Sequence, residues 1–257
     1  MSKKVDGETK EKSKFDIKPL KTAKSDIPQI QAAKDGTIMK YPFSCIIAGP
    51  SGGGKTVLCL NLLLNPNLYK DFFHSILVCS PTANDYDDTW KALKLHKDNF
   101  IKDFSPETLN KIIELRKKQI KSKGIKWVSE NSRMLIILDD IIANRDFLQS
   151  EECVILFALL RHYLCSIIIL VQKFNAVNRT CRINTNAVMT FCSTHNELEC
   201  LKDELCPPGL SKKEFEKMIN YATEGKHDFL FINNHAPKNE KFRKNLTEIL
   251  NLNNFKN

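Results

Sequence analysis

Arginine is scarce in this chain. Only seven of its 39 basic residues are Arg, and none precedes Arg116. A small nucleotide kinase, which closes an arginine-rich lid over its substrates, is therefore a poor fit. Cysteine is present nine times, but no two form a C-x-x-C pair. Most lie in apolar runs, which reads as buried, reduced thiols and excludes zinc-ribbon or redox-motif chemistry. No run approaches the roughly 18 apolar residues of a membrane-spanning helix. The N-terminal stretch MSKKVDGETKEKSKFDIK has no apolar region of the kind a secretory leader carries, so a soluble, intracellular protein is expected. No N/T-K-x-D guanine motif is found, which argues against a GTPase. There is no internal repeat.

The 257 residues, 42% of them hydrophobic, suit one large α/β domain with short appendages. The net charge of +9 permits nucleic acid as a partner without proving it. Residues 1–36 read as a basic, mostly disordered arm with a short apolar patch, IPQIQAA, placed to dock on the body. Residues 37–235 read as the main domain, and 236–257 as a polar helical tail.

Within the body, short and continuously apolar runs alternate with helical patterns. Strands are expected at 43–49, 75–80, 132–140, 165–172, 186–193 and 228–234. Helices are expected at 55–65, in DDTWKALKLH, in SPETLNKIIELRKKQIKSKG, at 150–164, and on both sides of a CPPGLS break at 206–211. This alternation predicts a mainly parallel sheet covered by helices on both faces.

Residues 49–56, GPSGGGKT, fit the phosphate-binding pattern G-x-x-x-x-G-K-[ST] between an apolar strand and an apolar helix. Glycine-rich backbone curls tightly enough to turn several N–H groups inward, and the following helix presents its positive end. Gly49, Pro50, Ser51, Gly52, Gly53 and Gly54 form this cradle. Lys55 is placed to reach the β- and γ-phosphates of ATP, and Thr56 to offer its hydroxyl to Mg²⁺. MLIILDD (134–140) ends a second buried strand in two acids: Asp139 is the expected Mg²⁺ ligand, directly or through water, and Asp140 the base that orients and deprotonates water. SIIILVQ follows as a further strand ending at Gln172. In the additional-strand class of P-loop ATPases that strand lies between the other two, and its terminal polar side chain faces the γ-phosphate.

GPSGGGKT, LIILDD, LRHYLCSIIILVQ and RINTNAV, in this order, resemble the vaccinia-type genome-packaging ATPases of large double-stranded DNA viruses and virophages, within the FtsK–HerA superfamily. The resemblance covers roughly residues 40–195. It implies a RecA/FtsK-like three-layer sandwich, a homo-oligomeric ring with ATP hydrolysed between subunits, and translocation of double-stranded DNA into a preformed capsid. The place of action would be the host cytoplasm, a viral factory or the virion. It also implies an arginine donated by a neighbouring subunit. Arg182, read as lying in a polar loop able to reach outward, is favoured over Arg161, read as ending a buried helix. Superfamily relatives often carry Glu where this chain has Asp140, one methylene shorter. Lys117, Lys118, Lys121 and Lys123, within a stretch of seven basic residues and one acid at 111–126, are candidates for contacts to the DNA backbone. Two other readings stay open: a helicase or conjugative-type ring pump, and a non-translocating ATP switch in capsid assembly.

Overall fold

The computed structural model describes residues 27–33, 36–81, 88–140, 145–191 and 194–256. Most of the arm read at 1–36 lies outside these residues. Its apolar patch is described and rests on the body, with Ile30 bridged to Tyr41 and Ala33 buried.

Nine strands form one sheet in the order β3-β2-β4-β5-β1-β6-β7-β8-β9. The first six positions pair in parallel, and β6 to β9 pair antiparallel. The central strands are β1 (Ser44–Ala48), β2 (Ser75–Cys79), β4 (Met134–Asp139), β5 (Cys165–Val171) and β6 (Ala187–Phe191), with β3 (Phe100–Ile101) at one edge and β7 (Phe229–Asn233) opening the antiparallel flank. As expected, β5 lies between the strand before the glycine-rich turn and the acidic strand.

Successive residues of these strands face opposite sides of the sheet, and both sides are covered. Ile46, Ile136, Leu138, Ile167 and Ile169 pack in one core, and Cys45, Ile47, Leu135, Ile137 and Ile168 in another. The first core carries α2 (Pro106–Lys123), α4 (Arg145–Gln149), α5 (Glu151–Leu159), α7 (His195–Leu205) and α8 (Lys212–Ala222). The second carries α1 (Lys55–Leu64) and a short 3-10 turn, Asp88–Leu93. The result is the anticipated three-layer arrangement. Local chemistry sets the helix boundaries. Ser105 caps α2 by accepting from Thr108 N at 3.2 Å with Pro106 in the first turn, and Ser211 with Glu214 forms a capping box on α8.

Two expected helices are corrected. DDTWKALKLH yields only the 3-10 turn at 88–93, because buried Trp90 pins it to the sheet end. The stretch 236–257, expected as a helical tail, forms β8 (Phe242–Lys244), β9 (Glu248–Ile249) and a 3-10 turn, Leu252–Phe255. Phe242 is buried against Phe215, their ring centres 5.9 Å apart, so the stretch is the finishing edge of the sheet. No helix among the described residues is long and apolar enough to cross a membrane.

Candidate nucleotide site

Parallel strands deliver their C-terminal ends to one edge of the sheet. The register sets Ala48 of β1 beside Val171 of β5, and Asp139 of β4 beside Leu170 of β5. The residues just beyond, Gly49, Gln172 and Asp140, therefore emerge side by side. Gly49 N donates to Val171 O at 3.1 Å, which fixes where the glycine-rich turn departs.

The turn requires its glycines. Gly52 and Gly54 have φ of 72° and 102°, where a side chain is strained. A Cβ on Gly49 would lie 2.9 Å from the Phe191 Cβ. Lys55 Nζ donates to the carbonyls of Gly49 and Pro50, both at 2.9 Å, and so lies across the mouth of the loop. Partial burial lowers its pKa, while Asp139 and Asp140 oppose the shift. The backbone N–H groups of this turn, the helix start and a lysine make a donor set suited to a chain of phosphates.

Asp139 is buried, and burial raises its pKa to about 6 despite the N–H of Trp90. Its Oδ2 accepts from Trp90 Nε1 at 3.1 Å and from Thr56 Oγ1 at 3.4 Å. An ionised carboxylate withdrawn from water beside a hydroxyl calls for a cation. Thr56 and Asp139 thus fit Mg²⁺, an ion that takes few protein ligands and leaves other positions to phosphate oxygens and water. Among the described residues no cluster of three or more His, Cys, Asp or Glu side chains could hold a metal.

Asp140 is exposed, with φ of 48°, a left-handed turn that Asp tolerates better than most residues. Gln172 Nε2 lies 3.4 Å from its Oδ1. The two sequence-predicted polar ends of β4 and β5 therefore meet.

The arginines do not match expectation. Arg182 lies in a short helix, α6 (Arg179–Asn184), and is buried rather than free in a loop. Its Nε donates to Glu204 Oε2 at 2.7 Å, its Nη2 to Glu204 Oε1, and its Nη1 to the carbonyls of Asn175 and Val177. A guanidinium with all its arms engaged is a structural tie. Arg161, expected at the end of a buried helix, is exposed on a 3-10 turn, Leu160–Tyr163. It faces His235 across a cavity of about 410 Å³ at the opposite end of the strands from the glycine-rich turn.

Lys117, Lys118, Lys121 and Lys123 are all exposed. Helical spacing puts the first three on one solvent face of α2, where Lys117 pairs with Glu114 at 2.9 Å. Lys123 instead lies 3.9 Å from the centre of the Trp127 ring. The one arginine of the stretch, Arg116, is buried and donates to carbonyls of Tyr163, Leu164 and Ser132.

Sequence reasoning missed Trp90 and Glu197. Trp90 could have been suspected, since a buried indole needs an acceptor for its N–H. Glu197, on α7, is buried and accepts from Phe174 N at 2.6 Å. It clasps the turn that follows Gln172, and it lines a cavity of about 310 Å³ with Gly49, Pro50, Ser51 and Gln172. Nothing in local spacing marks it.

Comparison with known proteins follows these lines. The profile of the poxvirus A32 protein family matches residues 32–252. No curated protein sequence matches the chain. Among solved structures, the genome packaging NTPase B204 of Sulfolobus turreted icosahedral virus 2, in complex with ATP-gammaS, is similar at 14% identity and a TM-score of 0.52, over 81% of this chain and 98% of that one. B204, the DNA-packaging ATPase of Sulfolobus turreted icosahedral virus, matches at 14% identity and a TM-score of 0.53, over 75% and 93%. The cytoplasmic domain of the type VII secretion ATPase EccC of Thermomonospora curvata matches at 13% identity and a TM-score of 0.51, over 81% of this chain and 27% of that one. At these identities the likeness is one of fold.

Proposed function

This chain belongs to the poxvirus A32 protein family, and from that premise we propose that it is an ATP-hydrolysing motor that packages viral DNA. The observation that carries the reading is the convergence, on one sheet edge, of the glycine-rich turn, Thr56 with Asp139, and Asp140 with Gln172. The relatives of like fold named as genome-packaging enzymes support it.

Residues 49–56 would hold the triphosphate, with Lys55 moving from its loop carbonyls onto phosphate oxygens. Thr56 and Asp139 would hold Mg²⁺, which when bound neutralises charge developing on the phosphates. Asp140 would take a proton from the attacking water, and Gln172, 3.4 Å away, would orient that water and report the γ-phosphate. The engaged guanidinium of Arg182 leaves exposed Arg161 as the better candidate for an arginine lent to a neighbour. It sits at the opposite end of the strands from its own loop, as a head-to-tail ring would demand. The exposed lysines of α2 are the candidate track for the DNA backbone. The work would be done in an infected cell, at a capsid.

ATP hydrolysis with and without linear double-stranded DNA, across a salt series, tests this. We expect stimulation that fades with salt, an inactive Arg161→Ala protein, and partial recovery when it is mixed with Lys55→Ala subunits, because each supplies what the other lacks. Hydrolysis indifferent to DNA, with Arg161→Ala fully active, would overturn the motor reading.

A further inference from the structure

The sheet order gives the bound nucleotide a direction. The groups suited to the γ-phosphate end come from β4 and β5, on one flank of β1. The sugar and base must then leave the cradle toward the other flank, where β6 and β7 (Phe229–Asn233) lie. A hollow of about 350 Å³ sits on that side, lined by Gly54, Val57, Leu58, Asn61, Phe191, His227 and Phe229.

The hollow is continuous with the cradle. A Cβ on Gly54 would stand 3.5 Å from His227 Nδ1 and 3.8 Å from Phe191 Cε1. Val57, in the first turn of α1, is 56% exposed although apolar. Phe191 and Phe229 have ring centres 5.5 Å apart and form the floor. The segment bearing His227 is tied down: Asp228 accepts from Gly225 N at 3.2 Å and Asn245 Nδ2 at 2.9 Å, and pairs with Lys244 at 3.2 Å. The wall is therefore formed in advance.

We infer that this hollow holds the purine base of the nucleotide whose phosphates residues 49–56 cradle, and grips it by its flat faces rather than by its hydrogen-bonding edge. The inference rests on the phosphate-cradle reading. Edge-reading groups are few. Asn61 Nδ2 is committed to Val57 O at 2.9 Å, and His227 Nδ1 lies 3.4 Å from Gly53 O. Among the described lining residues only Asn61 Oδ1 and the far nitrogen of His227 are uncommitted side-chain polar atoms. Apolar recognition discriminates weakly, whereas a site built to pair with a substrate's polar edge rejects the wrong one by several powers of ten. The enzyme should accept GTP nearly as well as ATP.

Equilibrium binding of ATP, GTP and inorganic tripolyphosphate to wild type, Val57→Ser and His227→Ala tests the proposal. Both changes are at exposed positions and spare the core. We expect GTP to bind within about tenfold of ATP, on the scale of apolar discrimination. Each variant should weaken ATP and GTP together, by about fivefold or more; Val57→Ser, which loses only apolar contact, should leave tripolyphosphate within about twofold. Photolabelling with 8-azido-ATP should mark the segment containing His227 and Phe229. Variants that bind ATP like wild type, or a label placed elsewhere, would overturn the hollow while leaving the cradle intact. A preference for ATP beyond about a hundredfold would overturn the flat-face grip. Wild type that binds neither ATP nor tripolyphosphate would sink the cradle reading itself.

Discussion

One oxygen of Glu197 accepts the Phe174 amide, and the other is buried with no partner. Burial is the main cause that raises its pKa, partly offset by the backbone amides of Phe174 and Asn175 and by Lys173 and Arg182. The folded protein then holds this proton more tightly than the unfolded chain. Stability falls as pH rises from the ordinary carboxylate range through the raised value, and is level above it. Glu197→Gln keeps an acceptor for the amide and removes the charge. It should melt at or above wild type near pH 8, with the gap closing by about pH 4, where both forms are neutral. A clear loss of melting temperature at pH 8 would show instead that the charge itself stabilises the fold. Arg182 makes the opposite case. Arg182 is buried, and its bidentate partner Glu204 is partly buried at the edge of a cavity. Arg182→Ala leaves Glu204 only the exposed Arg179, 3.6 Å away, and removes the donors to the Asn175 and Val177 carbonyls; it should cost about 1.5–3 kcal/mol of stability. Denaturant unfolding measures that loss. Mixing with Lys55→Ala subunits should restore no activity beyond what the folded fraction explains.

At the scale of elements, the added edge of the sheet is the informative piece. Phe242, in β8, is 2% exposed, and Phe242→Ala should cost about 3–5 kcal/mol. A change under about 1 kcal/mol in urea unfolding would mean that the edge is dispensable. This edge was hidden in the sequence because its strands have three and two residues, too few for alternation to register, amid Lys and Asn that read as solvent-facing helix. β3, with two residues, was hidden likewise. The long apolar strands, the glycine-rich turn and the acids at 139–140 were legible, since there local sequence and tertiary role agree. Gln172 was legible by position alone. Arg182 was misread because its partner Glu204 is 22 residues away and an ion pair leaves no local trace. Glu197 and the hollow beside Gly54 were illegible for the same reason, and the acceptor of Trp90 could not be named: each is made by segments that meet only in the folded chain.

At the scale of the whole molecule, the candidate groups gather at two ends. The phosphate edge lies at the C-terminal ends of the parallel strands. Arg161 and the lysine-bearing half of α2 lie toward the other end, tied there by Arg116 to carbonyls just before β4 and β5. If the α2 lysines meet DNA phosphates, the Lys117→Gln/Lys118→Gln/Lys121→Gln triple variant should lower the slope of log affinity against log salt by about 2–3. Fluorescence anisotropy with labelled duplex measures this, and an unchanged slope would clear α2 of that role. The antiparallel flank has its own consequence, for biosynthesis. β6 takes β7 as its outer neighbour, and β7 is closed in turn by β8. A nascent chain that has emerged only to about residue 225 already carries the phosphate loop, both acids and Gln172, yet β6 has no outer partner and Phe191 no Phe229 to lie against. Translation therefore delivers the chemical groups early and the surface that completes them last. A prematurely terminated chain is left unfinished as a sheet, its chemistry present and its edge open.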